Sequence, residues 1–119
     1  MTDASFPQPV VRRPVIDHVG VLVRDLAVST RFYAAVLAPL RMTLRYEDHD
    51  GAAFGFDGAD DFGIHLNEAP TANVQVAFAA QDRAAVDACY AEALANGGRE
   101  KGGPKIWSEY HDGYYAAFV

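Results

Sequence analysis

Residues 15–37 read VIDHVGVLVRDLAVSTRFYAAVL, and residues 73–94 read NVQVAFAAQDRAAVDACYAEAL. Each is a short run of β-branched and apolar residues, then an aspartate, then a longer run with helical spacing. Val15 to Val23 alternates in part and predicts a strand. Asp25 offers a side-chain oxygen to the first free N–H groups of a helix. Val28, Phe32, Tyr33, Val36 and Leu37 fall on one face of that helix, and Pro39 stops it. The second stretch follows the same plan. Asn73 to Ala79 predicts a strand, Asp82 a cap, and Val86, Cys89, Tyr90, Ala93 and Leu94 an apolar helix face. Gly97-Gly98 ends the second helix, since glycine accepts the left-handed conformation found there. A shift of 57 positions places Val19 on Val76, Asp25 on Asp82, Tyr33 on Tyr90 and Leu37 on Leu94. Matches at cap and core positions without a gap favour an internal duplication. The same shift places His18 on Gln75.

Working outward, three more strands are expected after the first helix: Met42 to Tyr46, Ala52 to Phe56 and Phe62 to Leu66. Asp50-Gly51 is a hairpin-turn signal between the first two, and Gly58 to Asp61 makes the next turn. Asn67 to Asn73, with Pro70, is the connector between halves. Beyond the second helix, Gly102, Gly103 and Pro104 read as a loop and Gly113 to Val119 as a strand. The fold class is therefore α+β, with a βαβββ order in the first half.

Composition narrows the functions. With 119 residues, 50% hydrophobic and 12% aromatic, the chain can bury a core and fits one domain. A formal charge of -6 repels phosphate backbones, which argues against nucleic acid. No apolar run is long enough to cross a bilayer. Met1 to Arg13 has no apolar segment of the signal-peptide kind. One cysteine, Cys89, allows no disulfide within the chain, and a cytoplasmic setting is expected. Cys89 itself reads as a small core residue. There is no Walker loop, no GxSxG elbow and no CxxC pair, which argues against kinases, α/β-hydrolases and thiol oxidoreductases.

IDHVGVLVRDLAVSTRFYAAVL (residues 16–37) resembles the opening of single-domain vicinal oxygen chelate proteins, the superfamily of glyoxalases, bleomycin resistance proteins and extradiol dioxygenases. VAFAAQDRAAVDACYAEALANGGRE (76–100) and YHDGYYAAFV (110–119) look like its second module. The resemblance implies two βαβββ modules forming a cupped mixed sheet with helices outside. Module one would span 15–67 and module two 73–119, after a flexible arm over 1–14. In that family a last strand follows a DPDG-like turn and carries a glutamate. The sequence reaches Val119 without that turn, so the last strand is expected to be missing.

The resemblance also implies a site. A divalent metal (Zn, Fe, Mn or Ni) often sits in the cup, and His18 stands at the first-strand ligand position. Gln75 stands where relatives show the second ligand, commonly histidine, and is a weaker neutral donor. Without a metal, His18 reads as an inward histidine bonded to a neighbour, and Gln75 as a polar lining residue. Phe54, Phe56, Tyr110, His111, Tyr114 and Tyr115 are the expected substrate-binding lining. His111 is a weaker candidate for a general base. Trp107 would cover the pocket mouth or a partner surface. His49 belongs to a solvated turn. His65 faces away from the core if Ile64 and Leu66 point into it, and is read as a surface histidine. Two functions follow: a metal-dependent lyase, isomerase or dioxygenase on a small oxygenated substrate, or a metal-free small-molecule binder of the bleomycin-resistance type. A homodimer is expected in either case.

Overall fold

A computed structural model describes residues 15–119. The expected arm over 1–14 lies outside the described residues. The first half contains β1 (Val19–Val23), α1 (Leu26–Leu37), a short 3-10 turn (Ala38–Leu40), β2 (Thr43–Glu47), β3 (Gly51–Gly55) and β4 (Phe62–Leu66). The second contains α2 (Arg83–Ala95), β5 (Gly102–Ile106) and β6 (Tyr115–Phe118). The fold class is α+β, as the sequence implies.

Both helices start where their aspartates sit. The Val28 N–H donates to Asp25 at 3.1 Å, and the Ala85 N–H donates to Asp82 at 2.8 Å. α1 runs into the 3-10 turn that holds Pro39, and Arg41 leaves it in the left-handed region at φ 62°. Gly97, at φ 97°, releases the chain from α2.

The first-half sheet has strand order β1-β4-β3-β2, with β1 parallel to β4 and the other pairs antiparallel. Strand alternation sends Val21, Ala52, Phe54, Phe62 and Ile64 to one face, where they are buried with Leu37 and Met42. Tyr33 of α1 lies over Phe62, their ring centroids 4.8 Å apart, so α1 covers this face. Burying Phe54 and Phe62 contributes about 1.5–3 kcal/mol each. In the second half, α2 covers one face of the β5–β6 pair. The helices also pack on each other, and the face of each sheet opposite its helix carries no helix.

Three sequence expectations are corrected. Asn73 to Ala79 joins no ladder and opens with Asn73 in the left-handed region at φ 58°; among the described residues no strand takes the place beside it that β4 takes beside β1. Its Val76 and Phe78 still pack on the first-half core, with Phe78 edge-on to Phe62 at 5.1 Å. Gly102 to Pro104 is strand rather than loop. Gly102 pairs with Phe118, and a side chain there would meet the Trp107 ring at 2.6 Å, so glycine serves a close approach. Gly51 opens β3 instead of bending the hairpin. A Cβ there would lie 2.6 Å from the Ile64 carbonyl oxygen. The turn is held by Asp48, which accepts from the Asp50 and Gly51 N–H groups at 2.8 and 2.9 Å.

Candidate functional site

The outward face of the first-half sheet follows from register. Leu22 pairs with His65, His65 with Gly51, Gly20 with Gly63, Gly63 with Ala53, and Ala53 with Tyr46. Partners in register share a face, so these side chains lie opposite the core. Glycine and alanine supply the floor, which leaves an open cavity of about 670 Å³. Tyr46, His65, His18 and the carboxylates of Asp17, Asp48, Asp50 and Asp60 stand around it. A shallower cleft of about 480 Å³ lies between α1 and the β2–β3 turn, and holds no histidine or aromatic side chain.

His18 sits one residue before β1 at the cavity edge, exposed, with Nδ1 2.9 Å from an Asp17 carboxylate oxygen. Gln75 is exposed in the unpaired run before α2 and lines neither cavity. In the single chain these two side chains do not share a concavity. Among the described residues no three of histidine, cysteine, aspartate and glutamate come together as a metal set. The donors of the described residues therefore do not assemble a set that fits the metal the family often binds.

The six lining residues expected from the sequence part company. Phe54 is fully buried under α1 beside Tyr33, so it is core and not lining. Phe56 follows β3 half-exposed and reaches neither cavity. Tyr115 points toward α2, where its hydroxyl donates to Asp87 at 2.6 Å and the Arg83 guanidinium stacks 4.9 Å above the ring. That bond holds the Tyr115 hydroxyl above its ordinary value. Tyr110, His111 and Tyr114 do come together. Tyr110 and His111 flank Tyr114 at 5.3 and 4.6 Å, and Tyr110 stacks on Phe118 at 5.8 Å. Trp107 joins them edge-on to Phe118 at 5.0 Å, its indole N–H donating to the Ala116 carbonyl at 2.8 Å. Because Phe118 and Tyr115 alternate along β6, this aromatic group lies on the outward face of the second sheet.

Sequence reasoning missed Tyr46, Asp48 and the place of His65 in the cavity. The signal for His65 was present, since Ile64 in the core forces its neighbour to the other face. Knowing that this face carries the cavity requires the β1–β4 and β3–β4 pairings. At the rim, the Tyr46 hydroxyl donates to Asp48 at 2.6 Å. This bond, with the backbone N–H of Asp50, holds the Asp48 carboxyl below its ordinary value and the Tyr46 phenol above its own.

The profile of the Glyoxalase/Bleomycin resistance protein/Dioxygenase superfamily matches residues 15–118, and the chain belongs to that superfamily. Among solved structures, it is similar to a glyoxalase/bleomycin resistance protein from Albidiferax ferrireducens T118. The two are 30% identical with a TM-score of 0.72, over 80% of this chain and 83% of the other. A search among curated proteins found no match.

Proposed function

We propose that the chain is a small-molecule binding member of its superfamily, which holds its ligand directly with side chains of the first-half cavity. One observation carries this reading. The cavity has a flat floor and polar walls, while His18 and Gln75 lie apart and no set of three donors assembles beside them. A metal-dependent lyase, isomerase or dioxygenase needs donors that converge, and the described residues of one chain do not bring them together.

The same reading includes a homodimer. The polar cavity and the aromatic group around Trp107 open on the outward faces of different sheets, so a second copy is needed to set one against the other. A cytoplasmic protein fits the single cysteine, Cys89.

The test uses the full chain, expressed and purified without chelator. Metal content by mass spectrometry is expected to be far below one ion per chain for Zn, Fe, Mn and Ni, and unchanged by His18→Ala. Near-stoichiometric metal that is lost in His18→Ala would replace this proposal with the enzyme reading. Size-exclusion chromatography with light scattering is expected to give a dimer mass, and a monomer at all concentrations tested would remove the dimer.

A further inference from the structure

We infer that His65 anchors the ligand of the first-half cavity, and that this ligand carries an organic cation such as an amine or amidine. The inference rests on the cavity being the ligand site, as proposed above, and adds to it the contact residue and the ligand class.

The imidazole lies across a floor of glycines, of which Gly51 is the one where a side chain would crowd the ring. A Cβ placed on Gly20 would be 3.8 Å from both Nε2 and Cδ2 of His65, one on Gly63 3.6 Å from Nε2, and one on Gly51 3.1 Å from Nδ1. The ring thus spans strands β1, β4 and β3 inside the cavity. The other three histidines each bond a sequence neighbour: His18 to Asp17, His49 to Asp50 and His111 to the Asp112 carbonyl. His65 has no such partner among the described residues. A neutral imidazole offers one acceptor nitrogen and one N–H, both available to a molecule lying on the floor.

Charge around the ring selects the class. Among the described residues no lysine or arginine lines the cavity. Asp60 is paired with Arg45 at 3.1 Å, so its charge is offset. Asp48, which accepts from the Tyr46 hydroxyl and two backbone N–H groups, and Asp50, beside the His49 ring, have no arginine or lysine partner among the described residues. Their carboxylates stand at the rim beside the imidazole. A cation above His65 gains an acceptor from the ring and attraction from the rim, whereas a carboxylate ligand meets repulsion.

Three probes of one shape separate the possibilities: benzamidine, benzamide and benzoate, titrated by calorimetry into the full-length protein. Benzamidine is expected to bind most tightly, with affinity that falls as salt is raised. His65→Phe keeps a flat ring on the floor but removes both nitrogens, and is expected to weaken benzamidine by about tenfold or more. Gly20→Phe fills the cavity and is expected to abolish binding. If that variant does not fold, the backbone amide shifts of Gly20, Ala53 and Gly63 on benzamidine titration take its place. The inference is overturned if His65→Phe binds like wild type, if benzamide or benzoate binds as well as benzamidine, or if none of the three binds. Binding that survives Gly20→Phe, or that leaves those amides unmoved, instead removes the cavity as the ligand site.

Discussion

The two halves of the chain begin with matching stretches and end differently. In the first, Val19 pairs with Phe62, and its strand becomes the edge of a four-stranded sheet. In the second, the matching Val76 packs a side chain on the core but joins no ladder, and only β5 and β6 pair. The helices show no such difference. Asp25 and Asp82 cap α1 and α2 through the same bond to the N–H three residues on. A cap is a local contract between neighbours in sequence. A strand exists only when another strand lies beside it, so similar local patterns can end as ladder or as unpaired chain.

The outward faces differ as well. The first half presents glycines, imidazoles and carboxylates, and the second presents Trp107, Tyr110, Tyr114 and Phe118. One face is fitted to hydrogen bonding and charge, the other to stacking. Neither is predicted by the repeat, because the duplicated positions lie in caps and cores.

The comparison can be tested at four points. The largest effect is expected from Phe54→Ala, which empties a fully buried site and should cost about 3–5 kcal/mol in denaturant unfolding. A loss below about 1 kcal/mol would mean that the first-half core is not where stability resides. Next is amide hydrogen exchange. Val21 and Val23 should be protected to near the global unfolding limit, while Val74, Val76 and Phe78 exchange with little protection in the monomer. Protection of the second group that rises with protein concentration would show that a second copy supplies its missing neighbour. Asp25→Ala and Asp82→Ala should each cost about 1 kcal/mol. Unequal losses would break the likeness of the two caps.

The smallest effect concerns acid. Asp48 titrates below its ordinary value of 3.8 in the folded chain, chiefly through the Tyr46 hydroxyl and then the Asp50 N–H. The unfolded chain therefore binds that proton more readily. The stabilisation is present above 3.8 and is lost as pH falls through the lower folded value. Melting curves of wild type and Asp48→Asn should differ at neutral pH and converge in acid. Curves that stay parallel into strong acid would show that Asp48 does not hold the β2–β3 turn.

Much of the first half was legible from residue order. Its helix and its three later strands follow from alternation and capping, within a residue or two at the ends. The site was less legible. Phe54 looked like lining because it is aromatic and on a strand, but its parity along β3 places it in the core. Tyr115 looked equivalent to Tyr114, yet adjacent strand residues face opposite ways, and Tyr115 turns to Asp87 of α2. Both errors concern which side of a sheet a residue faces, and a one-residue change of register reverses that answer.

By itself the sequence determined the class of fold, the two capped helices, the four strands of the first half, with β1 opening at Val19 rather than Val15, and the absence of a disulfide within the chain. These depend on contacts a few residues apart or on composition. Tertiary structure alone decided that residues 73–79 stay outside any ladder, that His65 lies on a glycine floor, and that His18 and Gln75 stand apart. Each of those outcomes depends on which distant strand comes to lie alongside, and pairing over long sequence distances is settled by packing of the whole chain.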